Sequence, residues 1–273
     1  MTRLDIEALL TLANAAGDAI MEVNSRHIEV ATKADDSPLT EADLRSHRIL
    51  EQGLRELTPD IPVFSEEDAD IPWSTRREWQ RYWLIDPLDG TKEFINRNGE
   101  FTVNIALIDH QEAVFGVVGV PAQEVLFWGD VKKGEAFRRH QGVTRPIRGR
   151  KRQVTAPLVV VASRSHGGER LERYLDEVQR RCGTTERTPV GSSLKLCILA
   201  EGMADLYPRL GPTSEWDIAA AHAVLAAAGG DLWAADGSVF CYNTKESVLN
   251  PEFIAVGDAG FGWKSLLPEV PAG

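Results

Sequence analysis

Two aspartates three residues apart, Asp86 and Asp89, end the apolar run of YWLIDPLDGTKEFI (82–95), with Pro87 between them and Gly90 and Thr91 behind. Carboxylates at this spacing can point into a common space and meet a cation, and proline locks the backbone between them. Gly90 permits a tight turn or the close approach of a ligand. TKEF begins a helix, so the amides of Gly90 and Thr91 stand at a helix start, where an anion is favoured. Metal ligands beside an anion seat are what metal-assisted phosphate hydrolysis requires. Read alone, D-x-x-D-G is also an ordinary turn in which Asp89 caps the helix.

Further acids bear on the choice. Glu66 and Glu67 follow the apolar IPVF, and adjacent carboxylates repel unless solvated or bound to cations. Asp217 stands at the head of EWDIAAAHAVLAAAGG, a helix apolar nearly all round and therefore buried; a carboxylate there also suits the helix dipole. Glu66, Asp86, Asp89 and Asp217 are hard oxygen donors, which suit Mg²⁺ better than zinc. None of the six histidines forms an HxH or HxxxH pair.

These residues need elements to position them. Residues 4–24 read as an amphipathic helix with Leu4, Ala8, Leu12, Ala15 and Ala19 on its inner face. A short strand and a polar turn precede a second helix, with Thr40 as its N-cap and Asp43 at the capping-box position. PDIPVFSEEDAD approaches as a strand. FTVNIALIDH, EAVFGVVGVP and EVLFWGDVKKGEAFR continue as strands separated by turns. RGRKRQVTAP (148–157) is basic and lacks large apolar residues, as a linker would. Beyond it LVVVASRSH is a buried strand and GERLERYLDEVQRR a helix. GSSLKLCILAEGMADLYPR is a helix and then a short strand, and the helix bearing Asp217 follows. Strand and helix alternate there as in an α/β unit. Two subdomains sharing one site follow, 1–152 of α+β type and 153–273 of α/β type.

The bulk composition is that of a globular protein: 273 residues, 43% hydrophobic and 26% charged. A net charge of −11 gives no footprint for binding nucleic-acid polymers, so cations for a phosphate would come from elsewhere. Cys182, Cys197 and Cys241 are odd in number and widely spaced, which fits a reducing cytoplasm. The N-terminus reads as an acid-interrupted helix rather than a signal peptide. No apolar run approaches the ~18 residues of a membrane span, which leaves at most a peripheral contact at the inner face of the membrane.

With these motifs in view, the chain resembles the lithium-sensitive, magnesium-dependent phosphomonoesterase superfamily of inositol monophosphatases, fructose-1,6-bisphosphatases and bisphosphate nucleotidases. D-P-hydrophobic-D-G-T is matched by Asp86–Thr91 and W-D-x-A-A by Trp216–Ala220; Glu66–Glu67 and the T-x-x-D of Thr40–Asp43 complete the set. The resemblance implies a layered αβαβα sugar-phosphatase-like fold of two packed subdomains. It implies that Glu66, Asp86, Asp89, Asp217 and the Leu88 carbonyl ligate two or three Mg²⁺ ions and bound substrate through them. Gly90 and Thr91 would hold the scissile phosphate, Thr91 would orient the attacking water, and Asp43 or Glu67 would help deprotonate it.

From about residue 30 to 253, TKADDSPLTEAD, VVASRSH, GSSLK and NTKESVLNP resemble the CysQ-type 3′(2′),5′-bisphosphate nucleotidases. That likeness implies removal of the 3′-phosphate of adenosine 3′,5′-bisphosphate (PAP), giving AMP and phosphate, with PAPS as a further substrate. Ser192, Lys195 and Arg209 offer donors for the second phosphate, and Ser163 and His166 would line the nucleotide pocket. Lys195 and Arg209 could equally be solvated surface charges. The basic stretch 132–152 matches no family motif; its arginines could meet nucleotide, another subunit or water. The chain would act as a monomer or homodimer. Rival readings are an inositol or fructose bisphosphate phosphatase, a non-catalytic nucleotide sensor, and a structural α/β domain with solvated acids.

Overall fold

A computed structural model describes residues 4–26, 30–32, 38–162 and 168–271. The helices are α1 (Ile6–Asn24), α2 (Glu41–Leu57), α3 (Trp73–Arg76), α4 (Thr91–Ile95), α5 (Gly168–Cys182), α6 (Leu194–Ala200), α7 (Glu215–Ala227) and α8 (Trp263–Leu266). Strands β1 (Val30–Thr32) and β2 (Pro38–Thr40) pair antiparallel. A seven-stranded sheet follows in simple order: β3 (Val63–Ser65), β4 (Arg81–Asp89), β5 (Thr102–Asp109), β6 (Glu112–Val120), β7 (Val125–Asp130), β8 (Glu135–His140) and β9 (Val143–Ile147). Only its β3–β4 pair is parallel. The second sheet runs β11 (Thr185–Pro189), β10 (Leu158–Ala162), β12 (Leu206–Arg209), β14 (Phe253–Val256), β13 (Asp231–Ala234).

Alternation along β4 shows how the layers form, because successive strand residues face opposite ways. Trp83 and Ile85 pack with α1 and α2, whereas Tyr82 and Leu84 join the core built around α6 and α7. That second core also takes in the inner face of the smaller sheet through Val161, Tyr207 and Phe253. The outer face of the smaller sheet is covered by α5 and by Trp263 of α8. The result is five layers, αβαβα, in which α7 is buried between two sheets. Gly129 of β7 lets it come close: a Cβ there would lie 2.8 Å from Val224 Cα.

Several expectations need correction. The inner face of α1 is Leu9, Leu10, Ala13, Ala16, Ile20 and Val23, while Ala15 is exposed. The larger side chains bury more apolar area than the alanine stripe could, and this sets the helix's rotation. EVLFWGDVKKGEAFR is two strands, β7 and β8. The expected strands do not include β2, β9, β11, β13 or β14. β9 and β11 are polar and largely exposed edge strands, where Pro146 and Pro189 are tolerated and hydrophobic alternation is weak.

Candidate active site

The acids of β4 stand on a bulged strand, not one turn apart. Asp86 pairs with Asn104 and Asp89 with Thr102, so three steps on β4 match two on β5. Pro87 sits in the bulge, where its missing N–H costs no ladder bond. The bulge is tied down: Leu88 N donates to Asp86 Oδ1 (3.0 Å) and Ser46 Oγ to the Pro87 carbonyl (2.7 Å). Gly90 then takes φ +89°, a left-handed conformation suited to glycine, and turns the chain into α4. Since α4 has only five residues, its dipole adds little to an anion seat there.

Burial and mutual repulsion dominate the acids. Burial pushes the Asp86 carboxyl well above its ordinary range, reinforced by Glu66, Asp89 and Asp217 and by a hydrogen bond with Glu66. Burial raises Asp89 to about 6, against the pull of Lys195 and the Ser193 N–H. Asp217 is raised well above normal by burial and then by Asp89, while the Ser214 N–H, 2.8 Å away, opposes the shift. Four acids from β4, α7 and the turn after β3 thus share one field. Among the described residues no three acid, histidine or cysteine side chains are grouped closely enough to hold a metal ion as they stand. Like-charged carboxylates repel one another, which a bound cation would offset. Oxygen-only donors, half-buried or buried and crowded with negative charge, fit Mg²⁺.

Two packed clusters hold these acids in register. Phe64, two residues before Glu66, meets Trp216, next to Asp217, edge to face at 5.7 Å. Arg76 of α3 lies over the Phe64 ring and donates to Asn243 Oδ1 (2.9 Å), while Asn243 N donates to the Glu215 carboxylate (2.9 Å).

Asp43 is buried in α2, its Oδ2 accepting Thr40 N (2.8 Å) and Thr40 Oγ1 (2.6 Å) in the expected capping box. Its Oδ1 lies 3.4 Å from Thr91 Oγ1, which is also 3.5 Å from the Leu88 carbonyl. Glu67 lies in the 3₁₀ turn Glu66–Asp68, its N–H donating to Ser65 Oγ.

A cavity of about 120 Å³ opens beside Asp89 and Asp217, lined also by Gly90, Ser192, Lys195 and Arg209. Lys195 is no solvated surface charge. It is buried, which lowers its pKa to about 8 against the attraction of Asp89, and it donates to the Ser192 carbonyl (2.9 Å). Arg209 Nη2 donates to the Pro212 carbonyl (2.7 Å), and its Nε is buried without a partner. Ser163 and His166 lie outside the described residues. A larger cavity, about 690 Å³, lies by Leu4, Phe115 and Lys132 and contains none of these site residues.

Arginines and lysines of the basic stretch pair with the chain's own acids: Arg139 with Glu7, Arg138 and Arg145 with Glu201, Arg150 with Asp205, and Lys151 with Asp258. Residues missed from sequence are Thr102 and Asn104, buried beside Ser193 of GSSLK; Thr102 and Ser193 meet Asp89, and Asn104 meets Ser193. A signal existed: Thr102 and Asn104 are polar residues two apart in an otherwise apolar strand, so they share a face.

Comparison with known proteins gives the geometry a context. The model of the inositol monophosphatase family matches residues 3–259. The 3′(2′),5′-bisphosphate nucleotidase CysQ of Escherichia coli (strain K12) is 50% identical over 250 residues, covering 91% of this chain and 98% of that protein. The same-named protein of Buchnera aphidicola subsp. Acyrthosiphon pisum is 38% identical over 257 residues, covering 92% of each. The crystal structure of CysQ from Bacteroides thetaiotaomicron, described as a bacterial member of the inositol monophosphatase family, superposes with TM-score 0.80 at 37% identity, over 92% of this chain and 96% of that one.

Proposed function

The chain belongs to the inositol monophosphatase family, and we propose that it is a 3′(2′),5′-bisphosphate nucleotidase. Members of this family are metal-dependent phosphatases, generally using Mg²⁺. The reaction removes the 3′-phosphate of PAP to give AMP and phosphate, and converts PAPS to APS in the same way. One observation carries this reading: four mutually repelling acids share one site, and two of them, Asp89 and Asp217, line a cavity with buried Lys195 and half-buried Arg209. The acids suit a cation and one phosphate; the basic pair suits a second phosphate, which an inositol monophosphate lacks.

Glu66, Asp86, Asp89, Asp217 and the Leu88 carbonyl would hold two or three Mg²⁺ ions. Bound there, Mg²⁺ supplies Lewis acidity, acidifying water and offsetting charge on the phosphoryl oxygens. The chain's own groups do the rest. Thr91, donating to Asp43, has lone pairs free to accept a proton of the attacking water, and so orients it. Asp43, or Glu67, takes up that proton. The water oxygen bonds to phosphorus, the bond to O3′ breaks, the leaving oxygen takes a proton from solvent, and the carboxylate returns its proton to solvent. The backbone of Gly90 and Thr91 seats the phosphate, and Ser192, Lys195 and Arg209 hold the far end. No helix among the described residues is long and apolar enough to cross a membrane; with free cysteines, we place the enzyme in the cytoplasm.

Phosphate release from PAP, PAPS, inositol monophosphate and fructose 1,6-bisphosphate, with Mg²⁺ and Li⁺ titrations, tests the reading. PAP is expected to give the highest kcat/KM, Li⁺ to inhibit, and EDTA to abolish turnover. A tenfold preference for the inositol ester would overturn the assignment.

A further inference from the structure

Asp89 takes its hydrogen bonds on one oxygen. Its Oδ2 accepts the Ser193 N–H and lies 3.3 Å from Thr102 Oγ1. Thr102 Oγ1 is 2.8 Å from Ser193 Oγ, which is in turn 2.8 Å from Asn104 Oδ1. All three residues are buried, and Asn104 Nδ2 is buried with no partner.

Counting protons gives this row a direction. A hydroxyl has one proton, a primary amide has two, and an ionised carboxylate only accepts. With the Asn104 oxygen towards Ser193, the Ser193 proton goes to Asn104. Thr102 must then donate to Ser193, Asp89 receives nothing from Thr102, and the amide N–H groups stay buried and unpaired, a costly state. Half a turn of the amide exchanges nitrogen and oxygen within the same shape. Asn104 then donates to Ser193, Ser193 to Thr102, and Thr102 to Asp89. Each hydroxyl both accepts and donates, which strengthens the row.

We infer that Asn104, Ser193 and Thr102 form a one-way row of donors ending on Asp89 Oδ2. They are positioning residues that orient this carboxylate and leave Oδ1 for the cation. The inference rests on the reading of Asp89 as a Mg²⁺ ligand and deepens it. Ser193 comes from the second half of the chain, between Ser192 and Lys195, so the row ties the loop lining the phosphate cavity to a ligand on β4.

Calorimetric titration with Mg²⁺ alone tests this without any substrate. Thr102→Val keeps the shape and removes the proton, so the Mg²⁺ Kd is expected to rise roughly 10–100-fold. Thr102→Ser restores the proton and should bind nearly as the unaltered chain does. At high Mg²⁺ the kcat of Thr102→Val should recover, which a general loosening of the fold would not allow. Melting in EDTA checks that each variant is folded. Equal Kd for Thr102→Val and the unaltered chain overturns the inference, since Thr102 would then be donating away from Asp89. Failure of the unaltered chain to bind Mg²⁺ overturns the magnesium reading together with it, so the two failures are distinct. Should Thr102→Val not fold, Asn104→Leu carries the test from the other end of the row; a raised Kd is expected, and an unchanged one overturns the inference.

Discussion

At Asp89, burial raises the pKa to about 6 while Lys195 and the Ser193 N–H pull it down. Burial and then neighbouring acids raise Asp86 and Asp217 well above their ordinary range, and burial raises Glu215 to about 7. An acid whose pKa is higher folded than unfolded binds more protons when folded, so its contribution to stability falls as pH rises through that interval. Lys195, near 8, and His222, near 4, are depressed bases; their stability contributions change mainly above about pH 8 and below about pH 6.5 respectively. In EDTA the chain is therefore expected to melt higher at about pH 6.5 than at about pH 7.5. Mg²⁺ should stabilise more at the higher pH, because it needs the acids deprotonated; scanning calorimetry reads both. Thr91→Ala and Asp43→Asn should each lower kcat by roughly 10²–10⁴ at saturating Mg²⁺, as loss of proton-transfer help does. Asp43→Asn also weakens the α2 cap, at about 1 kcal/mol, so its melting temperature should fall while that of Thr91→Ala holds.

Elements aim these residues through their ends. Asp43 and Asp217 are each third-position acids of a capping box, on α2 and α7, so one side chain satisfies a helix terminus and faces the site. The capping signature at Thr40 was legible in the sequence because it is purely local. The rotation of α1 was not, because it depends on which side chains the sheet can bury. The depth of α7 depends on glycines of the facing strands. Gly129→Ala puts a methyl against Val224 and Ala227 and is expected to cost about 1–3 kcal/mol, read by urea unfolding. Because α7 carries Asp217, Mg²⁺ affinity should fall with it.

Over the whole molecule, two sheets share the α6–α7 layer, and the stretch joining them is fastened rather than loose. Arg150 meets Asp205, which is buried and also accepts Val159 N at the start of β10; Lys151 and Arg152 N meet Asp258. Arg150→Ala leaves Asp205 buried without its cation and is expected to cost about 2 kcal/mol, seen as a lower urea midpoint. Since these cations serve acids of the chain itself, turnover of PAP at temperatures well below melting should be unchanged. An effect on KM instead would place them at the substrate.

Sequence alone determined what is local or patterned: the D-P-L-D-G-T stretch, the capping box at Thr40, the buried character of α7, and the family to which these motifs point. Spacing along the chain encodes those directly. Tertiary structure decided what depends on distant partners. It set the bulge that brings Asp86 and Asp89 onto one side of β4, and the shared field that raises their pKa values. It buried Lys195, which from sequence could have been a surface charge, and it matched the basic stretch to Glu201, Asp205 and Asp258. It also gathered Thr102, Asn104 and Ser193 around Asp89, since a hydrogen bond joining residues some ninety positions apart leaves no periodic trace in the chain.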